Sequence, residues 1–480
     1  MKANKEDVII PDKIPWGSIF TPRSVAVIGK ASLGKGGWLF LRALKEFDYK
    51  GDVHCVDEDG PGKFDVKWVP HVEDLPWGIE YAIVCVKAKG VPDVLRGLAK
   101  KGVKIAHIFS SGFAELKTIE GRSLQKEISD ITISTGIRII GPNCVGPFCP
   151  KGGIAPTPGI FPGVCGNVGF ISQSGGITQS IIWSGHTYGF YMSKAISVGN
   201  CVDLDVEDFM QHMASEADIG VLAAYLEGLD DFRRFFDVVS ATTPKKPVIL
   251  LKTGKTTSGL AAIGSHTASL SGDGIIWDHV MRQAGAILVD TYEELVHTIQ
   301  ALAKAGPVSG PRIGLMNRGG GEGIIAADYL SMLGFEIPEY SKDTQAQLSK
   351  YLPSSGTSVA NPLDFAAVGG FPNVFGKILE IAASDKDIDV ILYQHHVEFC
   401  TLFGGEEFNK GLLDALIDAA AHIDKPVFVI APLYYSYDVW YRTIKCLNQA
   451  GIPVFPTLES GAKALLHMVE YYTKRGTKLA

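Results

Sequence analysis

No stretch of this 480-residue chain is apolar for long enough to cross a bilayer, which takes about 20 consecutive apolar residues, so no membrane role is expected. No cationic tract is present either. The 45 Lys and Arg stand against 52 Asp and Glu for a net charge of −7. Lys101, Lys104 and Lys117 are scattered among apolar residues, so no patch offers the counterion release on which nucleic-acid affinity rests. Met1 to Asp7 are charged and lead into no long apolar run; a secretory signal is not expected, and the chain reads as cytoplasmic. The eight cysteines lie far apart, several inside apparent strands, as reduced buried thiols do, and not in a disulfide framework. Cys144 and Cys149 have no second pair or neighbouring histidine to complete a zinc site, and no metal site is expected. Two nucleotide signatures are also missing. There is no G-x-x-x-x-G-K-[ST] loop, and in Gly29-Lys30-Ala31-Ser32-Leu33-Gly34 the residue Ala31 stands where a dinucleotide fingerprint needs its second glycine.

What is present is one pattern begun three times. Ser24 to Gly29 is a short, nearly continuous apolar run ending in Gly, as expected of a strand buried on both faces of a parallel sheet. Ser32, Gly34, Gly36 and Gly37 follow, then the helical run Trp38 to Leu44. Val168 to Ile171 leads into Ser172-Gln173-Ser174-Gly175-Gly176 and the helix-like Ile177 to Ile182. Arg312 to Met316 leads into Asn317-Arg318-Gly319-Gly320-Gly321 and Ile324 to Leu330. Further buried strands are expected at Tyr81 to Val86, Ile105 to Phe109, Val221 to Leu226, Val248 to Leu251, Val390 to Tyr393 and Val427 to Ile430. The pattern predicts three doubly wound α/β domains, and the length agrees with about three at roughly 150 residues each. Linkers are expected where Pro142, Pro147, Pro150, Pro156, Pro158 and Pro162 crowd together and at Gly306 to Pro311.

A strand feeding a Gly-rich turn into a helix N-terminus is a generic anion site, because unpaired N–H groups and the positive end of the helix dipole face the ligand. Three such turns point to phosphate-bearing ligands. About a dozen residues beyond Leu251 comes Gly264-Ser265-His266-Thr267-Ala268-Ser269-Leu270-Ser271-Gly272. Small neighbours let a ligand approach the imidazole, hydroxyls add hydrogen bonds without competing charge, and a neutral ring nitrogen is a competent nucleophile near neutral pH. That setting suits a histidine that is itself modified.

With these features in hand, the chain from about Ile14 onward resembles the α subunit of an NDP-forming acyl-CoA synthetase, the ADP-forming acetyl-CoA synthetase branch of the succinyl-CoA synthetase superfamily. Nine marks stand in family order: Phe20 to Gly29, Ser111 to Glu115, Gly141 to Gly146, Ile171 to Gly175, Ser197 to Asn200, Tyr225 to Gly228, Ser265 to Thr267, Asn361 to Asp364 and Gly451 to Phe455. The resemblance implies a Rossmann-like CoA-binding domain (15–150) after a short extension (1–14), then two flavodoxin-like ligase domains (151–307, with the phosphohistidine, and 308–480). It also implies a reversible relay through an acyl phosphate and a phosphohistidine. In it His266 is the phosphorylated residue and Glu227 the carboxylate that orients it. Ser172, Ser174, Gly175 and Ser265 hold the phosphoryl group. Gly29, Ser32, Lys35, Ser110, Ser111 and Gly112 contact coenzyme A, with Lys35 offsetting a CoA phosphate and Asn143 near the thiol end.

The chain departs from the family pattern at three places. Thr267-Ala268-Ser269 stands for Thr-Gly-Ser, Asp57-Glu58-Asp59 for an Asn-Pro, and Lys87 for a proline. The acidic run adds negative charge where CoA phosphates pass, with Lys87 as the expected compensation. No segment reads as an ATP-grasp domain. A separate ATP-grasp β subunit is therefore expected to carry ADP or ATP with Mg, in an α2β2 or similar oligomer. Competing readings are a CoA-sensing regulatory protein without turnover and an NAD(P)-dependent oxidoreductase. The acyl group is not legible.

Overall fold

The computed structural model describes residues 14–160, 163–263, 274–365 and 371–475, so Ser265 and His266 lie outside the described residues. The first sheet comprises β1 (Ser24–Ile28), β2 (Asp52–Val56), β3 (Lys67–Val69), β4 (Tyr81–Val84), β5 (Ile105–Ile108) and β6 (Arg138–Ile140). Its strands are parallel, in the order β3-β2-β1-β4-β5-β6. That is the doubly wound order of a Rossmann-type domain, reversing between β1 and β4. The second sheet comprises β7 (Gly146–Phe148), β8 (Val168–Ser172), β9 (Met192–Ser197), β10 (Val221–Leu226), β11 (Val248–Lys252) and β12 (Ile287–Val289), ordered β12-β11-β10-β8-β9-β7. Without β7 this is the flavodoxin order, reversing between β8 and β10. The third sheet, β13 (Ile313–Asn317), β14 (Leu363–Asp364), β15 (Val390–Gln394), β16 (Val427–Ile430) and β17 (Val454–Phe455), repeats it as β14-β13-β15-β16-β17.

The expected strands are present, and their burial explains their composition. Val25 to Ile28 and Val221 to Ala224 are buried, because helices cover both faces of a parallel sheet and leave no polar side to alternate with. One apolar cluster joins Val25, Val27, Tyr81 and Ile105 of the first sheet to Ile171, Ile196, Leu222 and Leu250 of the second. Accordingly these two sheets form one compact unit, Met1–Trp183 with Tyr191–Val289. The second unit, Ser184–Phe190 with Asp290–Ala480, has its own core around Leu363, Phe375, Tyr393 and Val429. The helix Tyr292–Lys304 belongs to that second unit, where Gln300 Nε2 donates to Val454 O at 3.0 Å. Part of the proline-crowded stretch expected as linker is β7, which pairs antiparallel with β9 and sets Pro147 opposite Ile196. An outermost strand tolerates a residue without an N–H.

Asp203 ties the two sheets of the first unit together. Arg138 donates from Nε to Asp203 Oδ2 at 2.9 Å and from Nη2 to Oδ1 at 2.9 Å, and the Ile139 N–H donates to Oδ2 at 2.7 Å. The two side chains are only 15% and 13% exposed. Asp203→Ala would leave a nearly buried guanidinium without its partner and is expected to lower the unfolding free energy by about 3 kcal/mol. Denaturant titration checks this; a loss below about 1 kcal/mol, the range of exposed ion pairs, would contradict it.

Candidate active site

The second sheet reverses between β8 and β10, and in doubly wound folds the carboxyl ends of the strands at such a reversal are the general ligand position. Ser172 ends β8 and is buried. Its Oγ donates to Ser174 O at 2.8 Å and accepts the Ser174 N–H at 3.0 Å, so this hydroxyl shapes the turn. Ser174 starts the helix Gly175–Tyr188, its Oγ accepting the Ile177 N–H at 3.4 Å. Between them Gln173 reaches across to the neighbouring strand's exit. Its Oε1 accepts the N–H groups of Glu227 (2.6 Å) and Gly228 (3.1 Å), and its Nε2 donates to Gly228 O at 2.7 Å. The Ser172–Gly175 turn and the Glu227 turn are thus one hydrogen-bonded unit. Tyr225 Oη donates to Glu227 Oε1 at 3.4 Å and accepts from Thr253 Oγ1 at 3.3 Å, which directs the half-buried carboxylate.

The reversal between β1 and β4 opens a cleft of about 630 Å³, lined by Gly29, Lys30, Lys35, Asp57, Cys85 and Lys87 among others. Gly37 lets the following helix pack onto the turn, since a Cβ there would lie 2.4 Å from Gly29 O. Lys35 and Ser32 are exposed. The acidic run after β2 is compensated differently from expectation: Lys30, not Lys87, pairs with Asp57 at 3.1 Å and with Asp59 at 2.6 Å. Asp57 also accepts the Ala31 N–H at 2.9 Å. Burial pushes the Asp57 carboxyl up, but the Ala31 and Asp59 amides and Lys30 bring it below the usual carboxylate range. Asp57 thereby closes the first turn, and Lys35 and Lys87 stand on the cleft wall.

Ser110, Ser111, Gly112 and Asn143 gather beside β5. Ser110 Oγ donates to Val86 O, and the Asn143 N–H donates to Ser110 O at 3.0 Å. Ser111 is exposed. The Gly112 N–H is engaged by Glu115 Oε1 at 2.6 Å, so it serves the loop before any ligand. Glu115 Oε2 in turn accepts from Asn200 Nδ2 at 2.6 Å, and the Asn200 N–H donates to Pro142 O at 2.9 Å. Three separate sequence marks are therefore one joint. The loop that follows Asn143 approaches the Ser172–Gly175 turn: a Cβ on Gly175 would stand 2.9 Å from Val145 Cγ1, so glycine permits the approach. The third Gly-rich turn lies in the second unit, where the Arg318 guanidinium is 4.5 Å above the Phe399 ring.

Residues 23–149 match a CoA binding domain, and residues 165–302 match a succinyl-CoA ligase like flavodoxin domain. The chain is 32% identical over 452 residues to the acetate–CoA ligase [ADP-forming] II subunit alpha of Pyrococcus furiosus, covering 94% of this chain and 96% of that one. It is 32% identical to acetate–CoA ligase [ADP-forming] II of Archaeoglobus fulgidus, spanning 98% of this chain but 68% of that longer protein. Among solved structures it resembles the dinucleotide-forming acetyl-coenzyme A synthetase 1 of Ca. Korarchaeum cryptofilum in complex with phosphate and ADP, with a TM-score of 0.84, 27% identity and coverage of 97% and 99% of the two chains. The chain therefore belongs to the ADP-forming acyl-CoA synthetases, acid–thiol ligases related to succinyl-CoA ligase. Neither a regulatory protein without turnover nor an oxidoreductase is favoured. Among the described residues no helix is long and apolar enough to cross a membrane.

Gln173 and Glu115 were not legible as functional, because each works on backbone at a distance of 54 or more residues or through a partner in another sheet. Gln173→Ala would strip the Glu227 and Gly228 amides of their acceptor and is expected to cost about 2 kcal/mol of stability. Hydrogen exchange at these two amides should accelerate well beyond that of β10; unchanged protection would show that the clamp does not hold the turn.

Proposed function

We propose that this chain performs the acyl and phosphoryl transfers of an ADP-forming acyl-CoA synthetase. Inorganic phosphate attacks the thioester carbonyl, and the C–S bond breaks to give an acyl phosphate and the CoA thiolate. The imidazole of His266 then attacks the phosphorus, the P–O bond to the carboxylate breaks, and the free acid leaves. The phosphohistidine finally loses its phosphoryl group to a nucleoside diphosphate, and every step runs in reverse for synthesis. The observation that carries this reading is the close approach of the Gly175 backbone to Val145, two residues beyond Asn143, where an added Cβ would stand 2.9 Å from Val145 Cγ1. It sets a helix N-terminus suited to phosphate next to the loop where the CoA thioester would end.

In this reading Ser174 and Gly175 hold the phosphoryl group, with Ser172 shaping their turn and Ser265 contributing from the histidine segment. Glu227 accepts one imidazole N–H and leaves the other nitrogen free to attack. Gly29, Ser32, Lys35, Ser110, Ser111, Gly112 and Asn143 form the CoA side. Lys35 meets phosphate, while Gly112 acts by its shape, since its N–H is already engaged by Glu115. The nucleotide and its Mg are assigned to an ATP-grasp β partner in a hetero-oligomer, and the acid to a small carboxylic acid. The α-subunit name of the Pyrococcus relative and the greater length of the Archaeoglobus one support that division.

His266→Ala is expected to abolish nucleotide-coupled synthesis while leaving CoA affinity within about twofold, because it removes the proposed nucleophile and none of the residues assigned to CoA. Coupled assay with the partner subunit, alongside calorimetric titration with CoA, checks both halves. Coupled turnover above a trace in the variant would refute the phosphohistidine.

A further inference from the structure

Strand β11 is apolar from Val248 to Leu251 and then ends on Lys252, which is only 7% exposed. An ammonium this buried is costly unless its donors are used. Lys252 Nζ donates to the backbone carbonyl of Glu227 at 2.9 Å and to that of Thr253. The ring of Trp277 lies 6.0 Å from Nζ, within reach of a cation–π attraction. The strand register accounts for this placement. Lys252 pairs with Leu226, the residue at which β10 gives way to Glu227. Glu227 is therefore gripped from two strands: Gln173 of the β8 exit holds its N–H, and Lys252 of the β11 exit holds its carbonyl.

We infer that Lys252 is a positioning residue, whose ammonium fixes the turn that presents the Glu227 carboxylate to the phosphoryl site. The inference rests on the role proposed for Glu227 and extends it to a residue that touches no reacting atom. Among the described residues, the charged groups that act on Lys252 are Glu227 at the β10 exit and Lys255 on its own turn; Lys255 is itself paired with Asp278 of the helix Gly274–Gln283 at 2.9 Å. Burial brings the Lys252 ammonium down to about 8, Lys255 adds to the depression, and Glu227 opposes it. Below that pH the group is charged and its bonds to the two carbonyls are charge-assisted. As pH rises through that value the proton is lost, the bonds become neutral and weaker, and the grip on Glu227 loosens.

The test is the pH profile of protein phosphorylation, measured on the chain assembled with its native partner subunit, with labelled ATP and Mg, and read as acid-labile, base-stable label. The unsubstituted protein should show an alkaline fall with a midpoint near 8. Lys252→Met should slow labelling at neutral pH by about tenfold to a hundredfold, the usual penalty for a slightly misplaced group, and should lack the alkaline fall. Lys252→Arg, which stays charged across the whole range, should recover most of the rate and carry it into alkaline pH. Lys252→Met that labels at the unsubstituted rate with the same fall would overturn the inference and leave the relay standing. If Lys252→Met does not fold, the arginine variant decides, and an unchanged alkaline fall there would overturn the inference. Absence of label on the unsubstituted protein at any pH would overturn the relay and this inference with it.

Discussion

A parallel sheet whose strands are buried on both faces can offer polar backbone to a ligand only at the carboxyl ends of those strands. In the first unit this constraint acts twice. Gly29 and Cys85 lie at the exits of the strands where the first sheet reverses, and Ser172 and Glu227 lie at the corresponding exits in the second. One exit of each pair is locked by a side chain from a neighbouring one. Asp57 from β2 closes the turn after β1, and Gln173 from β8 closes the turn after β10. The two locks share one logic, a side-chain oxygen of one strand exit accepting backbone N–H groups of the next. Such a lock holds a turn rigid without placing apolar bulk in the crevice.

The joint between the two sheets matters as much as either reversal. Glu115 accepts the Gly112 and Phe113 amides from its own loop and the Asn200 side chain from the other sheet. The backbone of residues 200–204 meets that of residues 139–142 through Asn200, Val202 and Leu204. The Arg138 to Asp203 pair fastens the same seam. A reaction that hands an acyl group from a thioester to phosphate needs its two half-sites at fixed separation, since reacting atoms must be held near contact. A seam with this many independent ties supplies that constraint.

The fold was legible because burial writes itself into composition. Val221 to Leu226 and Val427 to Ile430 read as strands and are strands, and the three Gly-rich turns fall at strand exits. The strand at Pro147 was not legible, because a proline signals a break and only the presence of β9 beside it turns three residues into an edge. In and around the candidate site, Ser172, Ser174, Gly175 and the carboxylate Glu227 were singled out by motif, whereas the contacts made by Lys30, Gln173 and Lys252 were not. Each of these acts on a partner 25 or more residues away, a relation that periodicity does not encode. Lys252 did leave a trace, as the charge closing an otherwise apolar run, whereas the acidic run after β2 pointed to Lys87 and is in fact paired by Lys30.

The proposed relay requires the phosphoryl group to rest on His266 between its two transfers. Mapping it directly is decisive: the chain and its partner subunit, charged with acyl-CoA and inorganic phosphate, are digested at alkaline pH and the modified peptide is identified by mass spectrometry. A phosphoramidate on His266, lost on brief acid treatment, is the expected result. Phosphate found on a serine of the Ser172 to Gly176 turn, on any other histidine, or on no residue of this chain would contradict it.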